Sequence, residues 1–140
     1  MTSDRWEPNP DTAAKARRAS PRRWRDKFRE AFRGVKLGVR GHSSFSVHFF
    51  FAALALTAGL VLECDPIEWC LVLGCVGLVI TTELFNSAIE TLFRGLDPES
   101  KARIHHCLDI SAGAVLAASL TAACVGSIIF GHKILLLLHW

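Results

Sequence analysis

Two carboxylates and an amide recur at helical spacing within an apolar stretch of this 140-residue chain. Glu83, Asn86 and Glu90 are three and four residues apart, so they share one face of an α-helix. Residues 67–93 around them are long and apolar enough to cross a bilayer. Because an acidic residue at mid-membrane costs roughly 2.5–3.5 kcal/mol, the pattern indicates a functional site that faces a protein interior or a polar cleft.

Carboxylates in such a position suit a proton relay, an ion path, or a metal-bound phosphoryl-transfer site at the membrane surface. Glu90, nearer the boundary of the span, offers the oxygen ligands that Mg²⁺ prefers. Glu83 lies deeper, where a carboxylate can act as general base on a lipid hydroxyl, and Asn86 can orient either group. The common nucleotide and zinc signatures GxxxxGK[ST], GxGxxG and HExxH are absent from the sequence.

The composition and its charge asymmetry indicate a membrane protein. Hydrophobic residues make up 51% of the chain and are grouped in blocks, with a mean hydropathy of +0.31. Residues 1–40 hold 12 of the 16 Lys and Arg residues and carry a net charge of +7, whereas the remaining residues carry −4. Because apolar spans follow this basic arm, an anionic membrane face is favoured over nucleic acid as its partner.

The basic arm is expected to contain a tail and a helix. Residues 1–20 are predicted to be a flexible cytosolic tail without a cleavable signal peptide. Ser20-Pro21 predicts the start of an amphipathic helix over residues 21–40 that lies in the membrane interface. Its apolar face repeats every three or four residues and consists of Trp24, Phe28, Phe32, Val35 and Val39.

Three transmembrane helices are predicted after the arm, which makes the chain an all-α membrane protein. The expected spans are residues 45–62, 67–93 and 110–130. A tight turn separates the first two spans, a polar loop over residues 94–108 precedes the third, and Gly131-His132-Lys133 is expected to interrupt the apolar run. The distribution of Lys and Arg predicts an inner-membrane protein with a cytosolic N-terminus and an external C-terminus. Three helices bury little surface, so an oligomer is expected.

The octad Glu83-Leu-Phe-Asn86-Ser-Ala-Ile-Glu90, followed by Asp109-Ile-Ser-Ala-Gly-Ala-Val, resembles the prokaryotic diacylglycerol kinase and undecaprenol kinase family. The resemblance covers about residues 21–130, because the basic helix, the spans and the short outer turn match in the same register. It implies a small homotrimeric membrane kinase that transfers the γ-phosphoryl group of Mg-ATP to a lipid alcohol, diacylglycerol or undecaprenol, at the cytosolic surface. The active site would be shared between neighbouring subunits.

Matching positions imply roles for individual residues. Glu83 resembles the catalytic base, Glu90 a magnesium ligand, and Asn86 the polar residue that positions them. Three further residues fall at positions on the nucleotide side of the site: Asp109, Glu99 and Arg23. Asp109 also admits a structural role as the cap of the third helix, and His48 is expected to be a packed or interface-facing residue rather than a ligand.

Three departures from the family pattern keep a second interpretation open. His42 stands where the family usually has a second metal-binding Glu, Leu108 where it has a Lys, and Arg94 where it has an Asp. Losing a cation beside the phosphates removes charge stabilisation of the transferred group. The alternative is therefore a catalytically degenerate family member that acts as a non-enzymatic membrane protein, with a proton or ion pathway as a third possibility.

The His42 departure generates a prediction. Imidazole is a poor ligand for Mg²⁺, so we expect His42→Glu to raise magnesium-dependent phosphoryl transfer to a lipid alcohol in detergent micelles. His106→Glu, which adds the same charge in the polar loop, is the control and should leave the rate unchanged. No change or a fall with His42→Glu would contradict a metal site that is weakened by this histidine.

Overall fold

The computed structural model describes residues 23–40 and 44–138, and in this part of the chain the helices are joined by short turns, with no strand. The predicted tail, the helix start at Ser20-Pro21 and His42 lie outside the described residues. The five helices are α1 (Trp24–Arg40), α2 (Ser44–Val61), α3 (Pro66–Arg94), α4 (Pro98–Ile104) and α5 (His106–Leu138). The all-α class is therefore confirmed.

Helices α2, α3 and α5 are each long and apolar enough to cross a membrane, which confirms three candidate spans. Helix α5 is longer than the apolar run at residues 110–130, and it continues through Gly131 and Lys133 to Leu138. The predicted interruption at Gly131 to Lys133 is wrong, because the helix is continuous through these residues. One glycine costs a helix only about 1 kcal/mol relative to alanine, which is too little to end it. The loop over residues 94–108 also contains a short helix, α4.

Aspartate caps begin two of the helices. Asp65 accepts hydrogen bonds from the backbone N–H groups of Ile67 and Glu68, and the Glu68 carboxylate accepts one from the Asp65 N–H, which completes a capping box. Asp97 caps α4 by accepting a 3.0 Å hydrogen bond from the Ser100 N–H. That hydrogen bond holds the pKa of the Asp97 carboxyl below its usual range. The caps therefore mark where α3 and α4 begin.

The described residues divide into two compact units, with the boundary between Gly34 and Val35. In the second unit α3 packs most extensively against α5 and less against α2, so α3 is the central span. Gly59 of α2 lies under the Trp69 ring of α3, where an added Cβ would come within 3.1 Å of the indole. An added Cβ at Gly38 would lie 2.8 Å from the Leu84 side chain. These glycines permit close approach to α3 at two levels.

Helix α1 is amphipathic, and its apolar stripe is exposed. Trp24, Phe28 and Phe32 expose 73%, 59% and 75% of their surface, and the Lys27 ammonium lies 4.9 Å from the centre of the Trp24 ring. Large apolar side chains on one face with basic residues on the others are typical of helices in the membrane interface. The interfacial position of α1 stays a prediction.

Lys133 joins α5 to the turn between α2 and α3. Its ammonium lies 2.9 Å from a Glu68 carboxylate oxygen and donates a 3.1 Å hydrogen bond to the Glu63 carbonyl. Glu63 has a positive φ of 51°, a conformation that side chains with a Cβ rarely adopt. A charged residue near the end of a span is therefore tolerated because this turn provides its partners.

We expect Lys133→Met to lower the midpoint of thermal unfolding in detergent, measured by circular dichroism. The change removes the cation shared by Glu68 and the Glu63 carbonyl, and the two charged side chains are 20% and 17% exposed, so solvent replaces the contact only in part. Lys133→Arg keeps the charge and serves as the control. Equal midpoints for the methionine variant and the unmodified protein would show that the contact contributes nothing.

Candidate active site

The buried polar side chains of the described residues are concentrated in one region. Glu83, Asn86 and Ser87 of α3 and Ser111 of α5 are 2%, 7%, 1% and 7% exposed. Three of them share a stretch of five residues on the central span, and the fourth faces that stretch from the neighbouring span. The Glu83 carboxylate therefore faces the interior of the helix bundle and not lipid.

A hydrogen-bonded chain links α5 to Glu90. The Ser111 hydroxyl lies 2.7 Å from the Asn86 side-chain oxygen and donates to it, and it also lies 2.9 Å from the Leu108 carbonyl. The Asn86 amide nitrogen donates a 3.0 Å hydrogen bond to Glu90 Oε1. Because the serine requires an acceptor and the carboxylate a donor, this chain fixes which way the amide points.

Ser111 is a site residue that the sequence interpretation missed. Ser111 lies among the small residues of the third span, which commonly serve close helix packing. A hydroxyl near the start of that span, two residues after Asp109 of the motif, was the available signal. Only the register between α3 and α5 decides that its hydroxyl meets Asn86.

His48 of α2 contacts Glu83. The distance from His48 Nε2 to Glu83 Oε2 is 3.7 Å, and the two side chains are 17% and 3% exposed. The sequence interpretation placed His48 in the first span as a packed or interface-facing residue and did not pair it with the carboxylate. The two residues are 35 positions apart, so no local pattern could join them.

The polar stripe of α3 thus has two levels. Glu83 with His48 forms one, and Glu90 with Asn86 forms the other, about 10 Å further along the axis. Ser87 lies between them on the same face, and its hydroxyl oxygen has no hydrogen-bond partner among the described residues. The helix therefore keeps the two carboxylates apart, so each can have a different chemical role.

Within a single chain, Asp109 does not face the polar stripe of α3. It lies inside the first turn of α5, which begins at His106, so the alternative that Asp109 is the helix N-cap is wrong. Two residues correspond to about 200° around a helix, so Asp109 points away from Ser111 and Asn86. Its side chain belongs to an exposed residue.

The other residues implied on the nucleotide side are also exposed. Glu99 lies in α4 and pairs with Arg103 one turn later, and Arg23 precedes α1 in the first unit. Two further cations lie at the end of α3. Lys101 donates a 3.2 Å hydrogen bond to the Arg94 carbonyl, and the Arg94 guanidinium is 3.4 Å from the Thr91 hydroxyl. The loop between α3 and α5 therefore places basic groups beside the Glu90 end of the stripe.

Glu90 fits a magnesium ion that arrives with phosphates. The described residues contain no group of three His, Cys, Asp or Glu side chains placed to hold a metal ion. Mg²⁺ usually keeps several waters and binds one or two carboxylates together with substrate phosphates. A single carboxylate held in place by Asn86 satisfies that pattern, whereas a closed protein cage is not present among these residues.

Comparison with known proteins assigns most of this chain to one family. Residues 29–130 match the model of the family described as prokaryotic diacylglycerol kinase. The chain is 28% identical over 107 residues to an undecaprenol kinase of Bacillus subtilis, covering 76% of this chain and 87% of that protein. It is 32% identical over 102 residues to a diacylglycerol kinase of Synechocystis sp., covering 71% of this chain and 57% of that protein. No solved structure gives a significant match.

The family model and the site occupy the same part of the molecule. The matched residues include all of α2, α3 and α4 and most of α5, and hence Glu83, Asn86, Glu90 and Ser111. A match of this extent covers well over half of the sequence. The resemblance drawn from the octad is confirmed, and this chain belongs to the prokaryotic diacylglycerol kinase family.

Proposed function

We propose that this protein transfers the γ-phosphoryl group of Mg-ATP to the hydroxyl group of a membrane lipid alcohol, diacylglycerol or undecaprenol. The proposal depends on one observation. The Glu83 carboxylate is buried on α3, and about two turns further along the same helix face Asn86 donates a hydrogen bond to Glu90. The similar proteins named above include both an undecaprenol kinase and a diacylglycerol kinase, so both alcohols are substrates to be assayed.

In this mechanism Glu83 removes the proton of the lipid hydroxyl as its oxygen attacks the γ-phosphorus. The bond between the γ-phosphorus and the bridging oxygen breaks, and ADP leaves. Burial excludes water, so the carboxylate meets the lipid hydroxyl without competition from solvent. The proton therefore ends on Glu83 and the phosphoryl group on the lipid.

Glu90 would hold the magnesium ion, which when bound neutralises charge on the phosphates. Asn86 and Ser111 keep the Glu90 carboxylate in one orientation through two successive hydrogen bonds. Groups that orient a metal ligand typically contribute 10-fold to 100-fold to metal affinity or activity. Asp109, Glu99 and Arg23 are proposed on the nucleotide side, where Lys101 and Arg94 supply positive charge in the absence of a lysine at position 108.

The cytosolic surface of the inner membrane is the proposed place of reaction, because ATP is available there. The arm of residues 1–40 carries a net charge of +7 and precedes the first span, which favours a cytosolic N-terminus. With three spans, the loop that contains α4 then lies on the same side as the arm. The Glu90 end of the stripe is the end that adjoins this loop.

A homotrimer with shared sites is proposed for two reasons. The three spans bury only 11% to 17% of their most apolar windows, so most of their surface is available for lipid or for other subunits. Asp109 points away from the polar stripe of its own chain, so it could lie near Glu83 and Glu90 only if these belonged to a neighbouring subunit. Small residues along α5 permit the close helix contacts that such an interface requires.

The experiment that tests the function measures phosphate transfer from labelled ATP to diacylglycerol and to undecaprenol in detergent micelles. We expect Glu83→Gln to reduce magnesium-dependent transfer by at least about 100-fold, because the amide cannot accept the hydroxyl proton. Glu63→Gln, in the turn at the other end of α3, is the matched control and should retain the full rate. Activity of Glu83→Gln equal to the control would refute the mechanism, and an inactive unmodified protein would support the degenerate alternative.

We expect Ser111→Ala to weaken the apparent affinity for magnesium by about 10-fold, because Asn86 loses the donor that fixes its amide. Titration of the kinase rate with Mg²⁺ at saturating ATP measures this effect. Thr121→Ala is the control, since among the described residues that hydroxyl bonds its own helix at the Ala117 carbonyl. An unchanged magnesium dependence in Ser111→Ala would show that the hydrogen-bonded chain from Ser111 through Asn86 does not support Glu90.

A further inference from the structure

His48 is the one ionisable side chain in helix α2, whose other residues in Ser44–Val61 are apolar or small and polar. It points toward α3 at the level of Glu83, with 3.7 Å between its Nε2 and the carboxylate oxygen. A polar ring within a span is costly, and it is normally found only where it meets a partner. Packing alone would be served as well by leucine.

The contact with His48 also gives the buried Glu83 carboxylate a polar partner. Glu83 is 2% exposed, and a buried carboxylate is unfavourable unless hydrogen bonds or an opposite charge compensate it. Nε2 of His48 can carry a proton directed at Glu83 in the imidazolium form and in one neutral tautomer. The observed 3.7 Å exceeds hydrogen-bond length, but such contacts often shorten only when substrate is bound.

His48 has a second neighbourhood. It lines an apolar cavity of about 570 Å³ between α2, α3 and α5, whose wall includes Ile80, three residues before Glu83. The imidazole therefore stands between a buried carboxylate and a space compatible with hydrocarbon. A lipid hydroxyl that reached Glu83 from this cavity would pass close to this ring.

We propose that His48 is a positioning residue on the phosphoryl-acceptor side, and that its Nε2 holds the Glu83 carboxylate in the orientation that accepts the lipid hydroxyl proton. This inference rests on the proposed function, in which Glu83 is the base. It assigns His48 no contact with ATP or magnesium. The side chain therefore affects the rate of transfer and not nucleotide binding.

Kinetics of His48→Leu and His48→Gln test the inference. We expect His48→Leu to lower kcat by about 10-fold to 100-fold with the KM for Mg-ATP unchanged, because the orienting group of Glu83 is lost. Glutamine retains an N–H donor of similar reach, so His48→Gln should recover most of kcat. Thr57→Leu removes another polar group from α2, more than two turns away, and should have no effect.

Three kinetic outcomes would overturn the inference: full kcat in His48→Leu, equal losses in His48→Leu and His48→Gln, or a loss that parallels a lowered thermal midpoint. Its failure is distinct from failure of the proposed function. If Glu83→Gln is inactive while His48→Leu is fully active, the function stands and only the role of His48 is refuted. If Glu83→Gln is active, both are refuted.

A measurement without turnover tests the pairing in the same protein. In micelles of the histidine-¹⁵N-labelled chain, assigned with His48→Gln, we expect Glu83→Gln to shift the His48 Nε2 resonance. Glu90→Gln changes a carboxylate about 10 Å further along α3 and should leave that resonance in place. An unshifted His48 resonance in Glu83→Gln would overturn the inference even if the kinase rate were zero.

Discussion

Burial of the Glu83 carboxylate among apolar helices is the constraint on which the arrangement of the three spans depends. A group of this kind is stable away from water only beside polar partners. His48 provides one from α2, and at the next level Asn86 and Ser111 join α3 to α5. Both outer spans are thereby tied to the central one near the same end, so the groups that surround the carboxylate also determine how the helices pack.

The opposite end of the bundle is held by a different contact. Lys133 links α5 to Glu68 and to the turn at Glu63, while Gly59 allows the Trp69 ring to pack closely between α2 and α3. Phosphoryl transfer requires little covalent chemistry from a protein and much positioning. A central helix held at both ends is suited to that task, because its two carboxylate levels keep a constant separation of about 10 Å.

A single subunit presents only part of what the proposed reaction needs. Glu83 and Glu90, the proposed proton acceptor and metal ligand, lie on one helix, but Asp109 faces away from them, and large parts of the three spans are exposed. Both features agree with the proposed oligomer, in which a neighbouring subunit would cover apolar surface and receive Asp109 at its own stripe. Membership of the prokaryotic diacylglycerol kinase family and the three candidate spans together indicate a membrane protein.

The sequence by itself determined the helical class, three candidate spans and the shared face of Glu83, Asn86 and Glu90, because these depend on local periodicity and apolar length. It did not determine that α5 continues through Gly131, since the partners of Lys133 lie some 70 residues earlier in the chain. Only tertiary structure decided that His48 meets Glu83, that Ser111 orients Asn86 and that Asp109 turns away. Those outcomes depend on the register between packed helices, and register is a property of the whole bundle that no single segment encodes.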